Sequence, residues 1–141
     1  MKKLLFFVLL SSVMNAQTIT FKGCIPFFDD QNFVFNKTAT DTSGRNIYVT
    51  TPLDPGQDCS GLGTCEFKFQ WNSSTSKWEF LADRGDGDFV NPFLIYSNTS
   101  SSAPNPPDLS LGTWVENIAE TSGICGGNLS SSNATLTGAV Q

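Results

Sequence analysis

Apolar and polar positions alternate most regularly between Cys65 and Ala82. Cys65, Phe67, Phe69 and Trp71 interleave with Glu66, Lys68 and Gln70, and Trp78, Phe80 and Ala82 interleave with Lys77, Glu79 and Leu81. The two runs flank the polar segment 72–76, N-S-S-T-S. Period-two alternation on both sides of a short run of turn formers predicts an antiparallel hairpin with one buried face. Weaker strand patterns cover 17–22, 32–36, 46–51, 89–96, 108–116 and 134–137. Pro92 lacks a donor N–H, so its strand is expected to begin after it or lie at an edge. Gly112 suggests a bulge or bend ahead of Trp114. Segments 25–30, 52–63, 83–88 and 97–107 read as loops or tight turns, rich in Gly, Pro, Asp and Ser. No stretch carries a sustained helical stripe. Short strands separated by frequent turn signals predict an all-β domain, a small antiparallel β-sandwich or twisted β-meander.

The N-terminus changes the picture of compartment. Lys2 and Lys3 precede the apolar run 4–10, and small and polar residues follow up to Ala16. That is the pattern of a secretory signal peptide over 1–16, leaving a single β domain over 17–141. The run is too short to span a bilayer, which takes ~20 apolar residues, so no membrane insertion is expected. Export makes the four cysteines a disulfide framework, for which three connectivities are open. Cys59 and Cys65 flank a short Gly-rich loop and are expected to pair, leaving Cys24 and Cys125 for each other. A four-cysteine zinc site would want a C-x-x-C pair, and the chain has none. Without Lys2 and Lys3, six basic residues face 13 acidic ones, a formal charge of −7. An acidic chain with no basic cluster argues against nucleic acid and anionic membrane surfaces as partners.

Candidate chemistry is sparse. The count of histidines is 0, which removes Ser–His, Cys–His and His–metal sites. A glycosidase needs only two facing carboxylates, yet most acids here fall in turn-like sequence, where solvated carboxylates are the rule. The chain is therefore expected not to be an enzyme. Asp83, Asp86 and Asp88, separated by glycines, offer oxygen ligands of the kind calcium takes. The full calcium loop pattern is missing, and Arg84-Gly85-Asp86 matches a receptor-binding tripeptide over three residues only. A plain turn between strands is the preferred account, with no cofactor beyond a possible calcium ion. Tyr48, Tyr96 and Trp114 are the aromatic candidates for ligand contact, whereas Trp71 and Trp78 share a face with Phe67, Phe69 and Phe80 and are expected in the core. Asn36, Asn72, Asn98, Asn128 and Asn133 each begin an N-x-S/T sequon, which matters only in a glycosylating host.

An ordered series of motifs runs through G-R-N-I-Y (44–48), F-Q-W-N (69–72), K-W-E-F (77–80), L-I-Y-S-N (94–98) and L-G-T-W-V (111–115). It resembles a small all-β module of secreted and surface multidomain proteins. In that module a tyrosine strand precedes a W-turn-W hairpin, a Y-S strand, a proline-rich loop and a final tryptophan. The N-A-Q junction of the leader resembles those of Bacteroidota exported proteins. The resemblance spans roughly 21–115 and implies an extracellular accessory or adhesive role, with no catalytic residues to carry over. The expectation is a secreted, non-enzymatic recognition or adhesion module that binds an extracellular glycan or protein. The alternative is a carbohydrate-binding module associated with polysaccharide degradation.

Overall fold

The computed structural model describes residues 17–50, 65–84 and 87–141, with Cys65 and Arg84 as backbone alone. Its strands are β1 (Thr18–Gly23), β2 (Phe33–Thr40), β3 (Asn46–Thr50), β4 (Cys65–Asn72), β5 (Lys77–Arg84), β6 (Phe93–Asn98), β7 (Val115–Glu116) and β8 (Ala134–Gly138). All pair antiparallel in one sheet of order β7-β6-β5-β4-β3-β2-β1-β8. Strands β1 to β7 form a meander, and β8 returns to lie beside β1. The sheet curls into a half-barrel. Of the two architectures expected from sequence, the twisted meander is the one adopted.

The β4–β5 hairpin lies in the middle of this order and sets its register. Trp71 lies opposite Trp78, Phe69 opposite Phe80 and Phe67 opposite Ala82. Its turn is held by Asn72, whose side-chain oxygen accepts the Ser74 and Thr75 amides at 3.0 and 3.3 Å. Phe80 is the hub of the concave face. Its ring meets those of Phe21, Phe67 and Phe69 at centroid distances of 4.9, 5.3 and 4.9 Å, mostly tilted. Phe28, Phe35 and Tyr96 complete the cluster at 6.3, 5.9 and 6.1 Å. A core of this kind stabilises by area burial plus favourable ring–ring geometry.

Strand β5 departs from simple alternation. Glu79 and Asp83 as well as Leu81 are buried, so both faces of this strand are covered. The register shifts between Phe80 and Leu81 against β6, a bulge that lets Ile95 join the core beside Tyr96.

Segment 25–30, expected as a loop, contains a one-turn helix α1 (Ile25–Phe28). Pro26 sits in its first turn, where a missing N–H costs nothing, and Phe28 is driven fully into the core. A second single turn, α2 (Ile118–Thr121), follows β7. Helices of four residues carry no stripe to read. The strand expected over 108–116 shortens to β7 alone. Gly112 has φ +72°, and a Cβ there would lie 2.6 Å from the Asn98 side-chain oxygen, so the chain turns at this point instead of extending.

Cys24, directly after β1, is bonded to Cys125. The expected Cys59–Cys65 bridge lies outside the described residues, as do the leader 1–16 and nearly all of the loop 52–63. No helix among the described residues is long and apolar enough to cross a membrane.

Candidate binding surface

The hollow of a curled sheet is a natural ligand site, but here the chain's own loops fill it. Segment 99–107 forms a strap across the sheet. The Asn46 amide donates to the Pro104 carbonyl at 2.7 Å, and the Trp78 indole N–H donates to the Ser102 carbonyl at 3.1 Å. The Arg45 guanidinium donates to the carbonyls of Ser101 and Ser102. Asn105 is the pin: its side-chain oxygen accepts from the Tyr48 hydroxyl at 2.6 Å and from the Asn46 amide group at 2.8 Å. Trp114 enters from the far end of the same loop, edge-on to Phe69 at 5.4 Å, its N–H donated to the Pro107 carbonyl.

The three aromatic residues singled out for ligand contact are therefore core residues. Tyr48 and Tyr96 are fully buried, and Trp114 is 1 % exposed. The reason is the strap and the bulge, both long-range features that alternation does not encode. Burial raises the pKa of both phenols; for Tyr96 the neighbouring Glu116 adds to the rise. The Tyr96 hydroxyl has no hydrogen-bond partner among the described residues. Trp78 is buried as expected, whereas Trp71 is half-buried at the sheet's rim, with the Arg45 guanidinium 4.1 Å from the centre of its ring.

The candidate calcium residues are not gathered into a ligand set among the described residues. Asp83 belongs to β5, not to a turn, and its carboxylate accepts the Phe89 amide at 2.9 Å. Asp88 turns back to accept the Val90 amide, and Asp86 lies outside the described residues. Lys68 is near Asp83 and reaches over the Phe89 ring at 3.9 Å; burial lowers its pKa, with the Asp83 charge opposing.

What remains exposed is organised by the two ends of the sheet. At the β7 end the edge is closed. The Leu129 amide donates to the Trp114 carbonyl, and the Glu116 amide donates to the Asn128 side chain. The buried Glu116 carboxylate gathers the Thr121 hydroxyl and the amides of Cys125 and Gly127, the last two at 3.1 and 2.6 Å. Sequence reasoning missed this carboxylate. Its only signal was an acid beside the hydrophobic pair Trp114–Val115, a place where a charge needs partners.

At the other end, β8 pairs with β1 and has no second strand partner among the described residues. Thr135, Thr137 and Gly138 are exposed. A groove of about 350 Å³ runs beside β8, with Ala134 to Thr137 on one side and Asp108, Ser110 and Ser131 on the other. A second, of about 300 Å³, lies on its neighbouring side against Lys22, Ile25 and Asp30, where Lys22 and Asp30 pair at 2.7 Å.

No family model, curated protein or solved structure matches the chain. Among the described residues the β8 side presents a strand with one strand neighbour, exposed threonine hydroxyls and the Asp108 carboxylate across a groove.

Proposed function

We propose that this chain is a secreted recognition or adhesion module, acting outside the cytoplasm through the surface around β8. The observation that carries this is the contrast between a half-barrel filled by its own aromatics and an edge strand left open beside two grooves. A rigid, filled scaffold with an open rim positions a surface for binding. The buried Cys24–Cys125 disulfide fits an oxidising compartment, and the leader-like sequence at 1–16 agrees with export.

The test is site-specific cross-linking. A photoreactive residue at Thr135 is expected to give a discrete adduct with a component of the producing cell's surface or surroundings. The same residue at Ser74, in the exposed hairpin turn, is expected to give none. Equal labelling at both positions would remove the β8 surface from consideration.

Carbohydrate binding is the second reading, favoured by the half-buried Trp71 at the rim beside Asn72. Arg45 already occupies a face of that ring, so a stacked sugar would have to displace it. A glycan array on wild type and Trp71→Ala decides this reading: a hit lost in the variant supports it.

A further inference from the structure

We propose that the groove between β8 and the 108–110 turn is a peptide-docking site, and that its occupant is an extended, basic segment of an extracellular protein that adds to β8 as a further strand. This rests on the recognition-module reading above and names its partner class.

Four observations carry it. First, strand addition needs an edge strand, and among the described residues β8 is the last strand of the sheet. Second, the edge strand itself carries no charge or proline guard, and the nearest cover lies past its end, where the Gln141 amide donates to the Pro106 carbonyl and the Asp108 amide to the Gln141 carbonyl. The strand reads A-T-L-T-G, whereas natural edges are commonly blunted by lysine, proline, bulges or a covering loop. The opposite edge shows that this fold can be blunted: β7 is two residues long and covered by 128–129. Third, the groove has a far wall, made by Asp108, Ser110 and Ser131. A walled slot beside a strand suits one extended chain at the ~4.8 Å inter-strand spacing.

Fourth, the wall is charged. Among the described residues Asp108 is the one titratable residue lining this groove. The Ser110 hydroxyl, then the Ser110 and Leu111 amides, hold its carboxyl below the usual carboxylate range, so it stays anionic. With the whole chain at a formal −5, lysine or arginine beside the added strand is attracted and an acidic segment is repelled.

The other occupants fit less well. A second copy would bring its own acidic charge, and contact limited to two five-residue strands falls short of the ~1,200 Å² that stable specific interfaces bury. A sugar would find no aromatic ring to stack upon among the described residues that line the groove.

The test pans a phage-displayed library of random dodecapeptides against the disulfide-intact protein, then measures binding of the enriched peptides as free synthetic ligands. Enrichment of sequences combining β-branched residues with lysine or arginine is expected. Thr137→Lys, which places a cation on the edge, is expected to weaken them at least about tenfold. Asp108→Asn keeps the turn acceptor and removes the charge, and is expected to weaken them about threefold. Val115→Lys, on β7, is expected to leave binding unchanged. Thermal melts establish that each variant is folded.

Failure to enrich, an acidic consensus, or binding indifferent to Thr137→Lys would overturn the proposal. If the Thr135 cross-link or a glycan array still reports a partner in that case, the recognition reading survives and the peptide groove alone falls. If both fail, the recognition reading falls with it.

Discussion

The sheet has two ends, and they are finished in opposite ways. At β7 the last strand is two residues long, its backbone is met by Leu129 and Asn128, and a buried carboxylate gathers the loop behind it. At β8 five residues lie against β1, with two threonines exposed and a groove alongside. An antiparallel sheet that stops short of closing a barrel has two such ends to manage. This one places its polar network at one end, and at the other β8 has no second strand partner among the described residues. The bonded end holds the loop behind β7 in place, and the surface proposed for binding lies at the end with fewer such bonds.

The largest expected effect comes from the link between the two ends. Cys125 lies in the segment that closes β7, and Cys24 follows β1, the strand that holds β8. The bridge closes a loop with a sequence separation of 101. Replacing both cysteines by alanine is expected to cost ~4–5 kcal/mol on the loop-entropy account, read by chemical denaturation. Hydrogen exchange should rise first at 125–129, while the β1–β8 pairing stays protected. Uniform loss of protection across both ends would mean the two are not separable in this way.

Next in size is Glu116. Glu116→Ala leaves the Thr121 hydroxyl and the Cys125 and Gly127 amides without their acceptor, in a place where Glu116 itself is 5 % exposed. Hydrogen bonds to charged groups are worth more than neutral ones, and orphaned buried donors add a penalty. A loss of ~3 kcal/mol is expected, with Glu116→Gln recovering about half. If Glu116→Ala costs under ~1 kcal/mol, the network at the β7 end is not what secures that edge.

Much of this could be read in the residues, and the missing parts share a cause. The Trp71–Trp78 hairpin, the start of β6 after Pro92 and the Cys24–Cys125 pair follow from local alternation, a missing donor and loop position. The burial of Tyr48, Tyr96 and Trp114 does not, because it depends on the 99–107 strap and Asn105, more than fifty residues from the strand they pin. Serine, asparagine and proline in that strap carry the composition of a free loop, and only their partners make it part of the core. Asp83 was misplaced for the opposite reason: Asp-Gly spacing announced a turn, while the β5 register carries the strand through to Arg84. The open edge is invisible in sequence, since a short threonine strand looks the same with one neighbour or two.

A smaller effect, of opposite sign, is expected at Tyr96. Its hydroxyl is buried without a partner among the described residues, and the ring packs parallel to Phe80. Desolvating a hydroxyl without a compensating bond is unfavourable, so Tyr96→Phe is expected to stabilise by ~1 kcal/mol in thermal melts at neutral pH. The pH dependence has a definite sign. Burial raises the folded-state pKa of Tyr96, and of Tyr48 beside Asn105, above the ordinary value of 10.0. Below that pH both states keep the proton and stability is unaffected. Above it the unfolded chain ionises first, so stability is lost as pH rises past 10. Tyr96→Phe should flatten that alkaline decline. An unchanged decline would assign it to other groups.

The smallest effect on stability bears most directly on the contrast between the ends. Thr137→Lys and Val115→Lys each add one exposed cation at one edge, and each is expected to change stability by less than ~0.5 kcal/mol. Their effects on association should nevertheless differ. When the protein is heated toward its melting temperature, an unguarded strand edge templates pairing with other chains, whereas an edge already met by its own loop does not. Light scattering recorded through the melt should therefore start later for Thr137→Lys than for wild type, and at the wild-type temperature for Val115→Lys. Charge alone cannot produce that pattern, because both substitutions change the net charge equally. If Val115→Lys protects as well as Thr137→Lys, general repulsion is at work and the two edges are equivalent. If it protects better, β7 is the more open edge despite its hydrogen bonds, and the search for a partner moves to Val115, Ile118 and Ile124, which are also exposed.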